Sequence, residues 1–310
     1  MRRYVVACLA GHGIGPEVMA EASRALARVS RLHGFRVEEV HVPFGGEAVT
    51  RSGHALPPAT REATLAADAI LVAAEHPALA GVESALDLHA RVDRVLFGPR
   101  GALDVVTPLA EEASEWALEH AFDLARSSRA RVTSVGDDPR WRLAFRREAS
   151  RHDGVTTEEV AAGPAAQALA FEPERFDVVV APAPFAEVLV SVTAPSRRPR
   201  VAASGRLARS GPGVFSPTHG PAREIAGQGV ANPASMLLAT ALMLGEGLGE
   251  RRAAETLTGA VLAACLADRR PPDMLETGVG ATTREFGDAV LAALPHALTT
   301  AEFSREAVVA

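Results

Sequence analysis

Apolar and polar positions along this chain fall into two alternating patterns. "YVVACLA" (4–10) is a short apolar run rich in β-branched residues, as in a strand buried on both faces. It runs into "GHGIG" (11–15), after which Pro16 and Glu17 open a stretch of helical spacing to about Val29. Proline in the first turn with an acid beside it marks a helix N-terminus. "FRVEEVHVPF" (35–44) alternates like a half-exposed strand, "PPATREATLAAD" (57–68) is helical, and "AILVAAE" (69–75) is again a buried strand. "LAEEASEWALEHAFDLARSS" (109–128) carries apolar residues at helical spacing and leads into a strand, "RARVTSV" (129–135). "RFDVVVAPAP" (175–184) is a strand followed by the short helix "FAEVLVSV" (185–192). A Pro/Arg-rich connection, Ala194 to Arg200, separates these from helical segments at about 233–247 and 249–268 and a last helix near 282–294. This alternation predicts an α/β fold with a largely parallel sheet, without internal repeats or disordered tails.

Composition narrows the function classes. The 310 residues suffice for one large or two moderate domains, and 47% apolar with 23% charged is ordinary for a globular protein. The balance of 32 basic against 38 acidic residues, −6, has no basic stripe, so no nucleic-acid partner is expected. Cys8 and Cys265 lie in apolar runs and read as reduced core residues. No signal segment opens the chain, and "PASMLLATALMLGEGLG" (233–249) is too short and glycine-broken to span a bilayer, so a cytoplasmic protein without a membrane partner is expected. All 32 basic residues are arginine, and the single tyrosine is Tyr4. Hence no side-chain amine can act as general base or Schiff-base nucleophile, and arginine stays protonated.

Two glycine-rich stretches could meet a ligand. "GHGIG" has glycines at 11, 13 and 15 rather than the G-x-G-x-x-G spacing. It reads equally as a turn whose amides face an anion or as a tight βα turn and no more. "HGPAREIAGQGVANP" (219–233) offers Gly220, Gly227 and Gly229 for close backbone approach. Its Glu224 could accept from both hydroxyls of a ribose and would repel a 2′-phosphate, and Asn232 has an amide suited to an adenine edge. The competing reading is a packed structural loop. His12, His76 and Glu75 could gather, or could be scattered polar residues, and Asp137–Asp138 before Pro139 suggests a cap or turn.

"GHGIGPEV", "PFGGEAV" (43–49), "RFDVVV", "VFSPTHGPAREIAGQGVANP" and "RPPDMLETGVGATTREFGDAVL" (270–291) occur in an order that resembles the isocitrate/3-isopropylmalate dehydrogenase family, the metal-dependent β-decarboxylating dehydrogenases. The resemblance covers nearly the whole chain except roughly residues 96–110, where this sequence is shortened. It implies a two-domain isopropylmalate dehydrogenase-like fold. Residues 1–93 plus 197–310 would form the nucleotide-binding domain, and 94–196 an inserted substrate and dimerisation domain. It also implies NAD or an adenine nucleotide against the 219–232 loop, at His219, Gly220, Ala222, Glu224, Ile225, Gly229 and Asn232. Glu224 stands where NAD-using members carry an acid and NADP-using members carry Lys and Tyr.

The family's catalytic residues do not carry over in the same way. Its members use a Lys and a Tyr as proton-transfer groups and three Asp residues for Mg²⁺ or Mn²⁺. Here "SVGDDPR" (134–140) puts Asp137 or a neighbour at the Lys position, and no Tyr other than Tyr4 exists. The metal positions read Glu187, Ser191 and either Gly163 or Ala161, a poor donor set for a hard cation, so Glu187 is a remnant and no Mg²⁺ or Mn²⁺ is expected. Arg91 and Arg94 fall off the substrate-clamp positions and are expected at the surface. "AAEHPALAG" (73–81) replaces the glycine-rich stretch that faces nicotinamide, and Ser216 replaces a Glu. General acid–base groups each supply about 10²–10⁴ in rate, and they act as a unit. One expectation is therefore an inactive or regulatory homologue, a homodimer or the partner of a catalytic paralogue, that binds NAD. The other is a repurposed NAD-dependent oxidoreductase acting on a small carboxylate, a hydroxy acid, through Glu187, Asp137 or His76.

Overall fold

The computed structural model describes residues 1–97, 101–193, 201–275 and 279–296. The Ala194–Arg200 connection, residues 276–278 of the C-terminal motif and the expected 196/197 boundary lie outside them. The chain divides into two compact units, one from Met1–Leu88 with the described residues of Val201–Thr300, the other from those of His89–Arg200.

In the first unit the strands run β2-β1-β3-β10-β9: β1 (Arg3–Leu9), β2 (Arg36–His41), β3 (Ala69–Val72), β9 (Val201–Ala208) and β10 (Gly213–Pro217). All neighbours are parallel except β10 and β9. β3 is buried at every position, as its unbroken apolar run requires, whereas edge strand β2 alternates. The helices are α1 (Gly15–Leu32), α2 (Gly45–Ser52), α3 (Pro58–Leu65), α4 (Ala80–Glu83), α9 (Ala234–Leu242), α10 (Arg251–Leu266) and α11 (Thr283–Ala293). α9 is apolar on all sides and almost wholly buried, the mark of a central helix. It continues into a π-helical turn, Met243–Gly247, so the helix expected to reach 247 changes winding after Leu242.

The second unit carries β4-β5-β8-β6-β7: β4 (Leu88–Leu96), β5 (Ala102–Pro108), β6 (Arg131–Val135), β7 (Thr156–Val160) and β8 (Val178–Val180). β4 and β5 pair antiparallel and the rest parallel. Its helices are α5 (Ser114–Arg126), α6 (Pro139–Ala149), α7 (Ala162–Phe171) and α8 (Ala183–Thr193). The fold is thus the largely parallel α/β arrangement expected. The strands β4, β5, β7, β9 and β10 and the helices α2, α4, α6 and α7 were not foreseen. "RWRLAFRR" holds too many charges to show its buried Trp141 and Phe145, and β7 is an edge strand, "TTEEV", with little apolar signal. Asp138 caps α6, its Oδ1 accepting from the amides of Arg140 and Trp141 at 2.7 and 3.2 Å.

Candidate nucleotide loop and its surroundings

The loop from His219 to Asn232 is held at its turns by three other segments. Ile14 N–H donates to Pro221 O at 2.9 Å, and the Glu17 carboxylate, in the first turn of α1, accepts from Gly227 N. Thr283, the first residue of α11, donates its amide to Gly229 O at 2.9 Å and its hydroxyl to Ala231 O at 2.6 Å. The Asn232 amide is gripped at both ends, Nδ2 donating to Asp273 at 3.0 Å and Oδ1 accepting from Ala234 N at 3.0 Å. One Nδ2 hydrogen and one Oδ1 lone pair remain for anything else. Gly227 and Gly229 adopt φ of +76° and +68°, and Ala222 is left-handed at +37°, a strain that a restrained loop can maintain.

The other side of the loop is open. A Cβ at Gly220, Gly227 or Gly229 would meet nothing within 4 Å, and the positive φ of Gly227 and Gly229 is what favours glycine at those two positions. Glu224 is exposed and its carboxylate has no partner among the described residues; Gln228 Nε2 reaches only its backbone oxygen. Burial pushes the His219 imidazole below its ordinary value, Nδ1 lies 3.0 Å from Gly220 O, and Nε2 has no hydrogen-bond partner among the described residues. Ile225 ends a single 3₁₀ turn begun at Arg223.

Two of the amides of "GHGIG" are engaged within the protein. Ile14 N is spent on Pro221 and Gly15 N on His12 O, so these amides do not face an anion. Gly13, at φ +65°, lies against Pro221, and a Cβ there would overlap the Pro221 carbonyl. The turn is a strut for the 219–232 loop.

His12 and His76 converge, their rings 6.1 Å apart and edge to face, with His76 also 5.9 Å from Phe44. Arg223 Nη2 lies 3.0 Å from His12 Nε2. Arginine only donates, so His12 is a neutral imidazole with its proton on Nδ1. Burial, then the charges of Arg223 and His76, holds its pKa down. His76 Nδ1 accepts from Ala78 N at 3.1 Å. Glu75 does not join the histidines: its carboxylate accepts from Arg206 at 3.0 Å and from the Ser216 hydroxyl at 2.9 Å. Sequence reading missed Arg223 and Arg206 because only the folded loop and strand bring them to their partners.

In the second unit, Asp137 pairs with Arg142 at 3.1 Å, and the exposed Glu187 lies 3.6 Å from Arg91. Ser191 is exposed, Ala161 precedes α7 and Gly163 lies in its first turn. The expectation that Arg91 and Arg94 lie at the surface is corrected. Arg94 is 15% exposed and grips Asp104 through Nε and Nη2 at 2.7 Å each, and Arg91 is held by Asp93 at 2.8 Å. β4 is covered by its neighbours, so its charges must be paired inside the sheet.

The chain is thus an α/β protein of two units whose first unit carries a glycine-bearing loop propped between the N-termini of α1 and α11. The profile of the isocitrate/isopropylmalate dehydrogenase family matches residues 5–97 and 89–290. A 3-isopropylmalate dehydrogenase of Synechococcus sp. (strain CC9605) is 30% identical over 95% of this chain and 100% of its own. One from Bacillus cereus is 31% identical over 92% and 95%. The fold matches an isocitrate dehydrogenase from Methylococcus capsulatus (TM-score 0.79, 22% identity, 95% and 99% coverage). It also matches a beta-decarboxylating dehydrogenase from Thermococcus kodakarensis (TM-score 0.80, 23% identity, 94% and 96% coverage). The chain belongs to the isocitrate/isopropylmalate dehydrogenase family.

Proposed function

We propose that this protein binds NAD through the adenosine half on the 219–232 loop and does not run the metal-dependent oxidative decarboxylation of its relatives at a comparable rate. The open faces of Gly220, Gly227 and Gly229, with the Glu224 carboxylate and His219 Nε2 that have no partner among the described residues, support the binding half. Glu224 would take the ribose hydroxyls, His219 and Asn232 the base, and the amides around Ala222, Ile225 and Gly229 the dinucleotide's polar edge. Bound NAD would supply a hydride acceptor. Residues 1–93 and 197–310 would form the nucleotide domain, and 94–196 the inserted domain that pairs two copies.

The observation that carries the other half is the fate of the one phenol. Tyr4 lies near the start of β1, its hydroxyl donating to Glu250 at 2.8 Å. Ligand sites in such sheets lie at the opposite, carboxyl ends of the strands. With no lysine in the chain, neither of the family's proton-transfer groups has an equivalent. Mg²⁺ or Mn²⁺ is poorly provided for: Glu187 is the only carboxylate among the positions carried over, and it lies exposed, 3.6 Å from Arg91. The protein would then serve in the cytoplasm as a regulatory homodimer or as the partner of a catalytic paralogue.

Calorimetry with NAD and turnover assays with 3-isopropylmalate and isocitrate in Mg²⁺ test this. Binding is expected, with turnover at least about 10² below that of the relatives. Turnover at a typical rate, or no adenine-nucleotide affinity in folded protein, refutes it. The convergence of His12 and His76 favours a second reading, an NAD-dependent oxidoreductase for a small hydroxy acid using His76, Glu187 or Asp137 as acid or base. Its signature is hydroxy-acid oxidation that is indifferent to EDTA and falls in Glu187→Gln.

A further inference from the structure

Cys8 and His41 are direct neighbours in the register of the parallel strands β1 and β2, near the carboxyl ends of both. Glu39, two residues before His41, projects to the same face. One donor atom from each of Cys8, Glu39 and His41 lies within 4.8 Å of the other two, with Cys8 Sγ–Glu39 Oε2 at 3.7 Å and Glu39 Oε2–His41 Nε2 at 3.5 Å. A tetrahedral zinc, with bonds of about 2.0–2.3 Å, holds its ligand atoms about 3.3–3.7 Å apart. The 3.7 and 3.5 Å separations match the edges of such a polyhedron.

We propose that Cys8, Glu39 and His41 form a binding site for a zinc-class divalent cation, separate from the nucleotide loop and from Glu187. A thiolate, an imidazole and a carboxylate suit a borderline ion such as Zn²⁺ or Co²⁺ and not Mg²⁺, which takes oxygen ligands. Ser23, on α1, hydrogen-bonds to Glu39 Oε2 and steadies the carboxylate from outside the donor set, as outer-shell groups do. Cys8 is buried and fixed on its strand while the His41 side chain is 56% exposed, so the ion would enter from the His41 side and find the sulfur already placed. Water would fill the fourth position. Metal entry displaces the thiol proton to solvent, leaving Cys8 as thiolate.

The test uses the full chain, stripped with chelator and titrated with Co²⁺ alone, then with Zn²⁺ as competitor. The expected result is a near-ultraviolet thiolate-to-cobalt charge-transfer band that saturates at one Co²⁺ per chain and is abolished by Zn²⁺. Oxygen-only coordination elsewhere gives no such band. His41→Ala, at an exposed position, should fold and bind at least about tenfold more weakly, and Cys8→Ser should lose the band. Three results each overturn the site: no band in folded wild type, an undiminished band in Cys8→Ser, or unchanged affinity in His41→Ala. The reading of Cys8 as a plain core residue beside a surface His–Glu pair would then stand. None of these outcomes bears on NAD binding.

Discussion

Replacing Gly13 by alanine tests the coupling between the first βα turn and the nucleotide loop. Gly13 sits at φ +65°, and a left-handed conformation costs a residue with a Cβ about 1–2 kcal/mol. The new Cβ would also overlap the carbonyl of Pro221, a backbone group that cannot rotate aside. Relief requires Pro221 to move, which loses the 2.9 Å bond from Ile14 N and with it about 0.5–1.5 kcal/mol. The expected loss is therefore about 2–4 kcal/mol, taking in some residual repulsion. Gly34 is the control, because it has φ +72° and nothing within 4 Å of its would-be Cβ, so Gly34→Ala suffers the conformational cost alone, about 1–2 kcal/mol. Urea unfolding of both variants gives the stability difference, and calorimetry with NAD reads the loop. Gly13→Ala should lose about 1–2 kcal/mol more than Gly34→Ala and bind NAD at least about tenfold more weakly. The strut explanation fails if both variants lose equal stability and bind NAD like wild type.

Arg94→Met should cost about 3–5 kcal/mol in urea unfolding, since it strands the buried Asp104, and adding Asp104→Leu should recover more than half. Glu285 closes a capping box with Thr282 at the start of α11, and its pKa is lowered by backbone and side-chain hydrogen bonds from Thr282 and by Arg269. A depressed carboxylate stabilises above its unfolded pKa and stops doing so as pH falls through the folded value. The stability gap between wild type and Glu285→Ala should accordingly close in acid, followed by thermal melts across pH 3–7, about the carboxylate range. Glu224→Gln should narrow the preference for NAD over NADP by about tenfold in competitive binding, by removing the charge that repels a 2′-phosphate.

Much of the fold can be read locally. Helix α1 is announced by Pro16 and Glu17, and the capping role of Asp138 by the proline after it. β3 and β8 are short apolar runs that fit only a covered strand. The unforeseen α6 and β7 lie where half or more of the surface is wet, and there the apolar period fades under the charges. In the site, the glycines of 219–232 are visible as a pattern, but their open face and the triple anchoring of the loop are not.

What the sequence alone determined is the order and kind of most elements, the loop with its acid at Glu224, and the absence of any amine or second phenol, because these depend on neighbouring residues or on composition. Tertiary structure decided the partners. It placed Pro221 against Gly13, Arg223 against His12, Ser216 and Arg206 against Glu75, and Asp104 inside the grip of Arg94. Backbone propensity acts over a few residues, whereas these pairings join residues far apart in the sequence that only the folded strands and loops bring together.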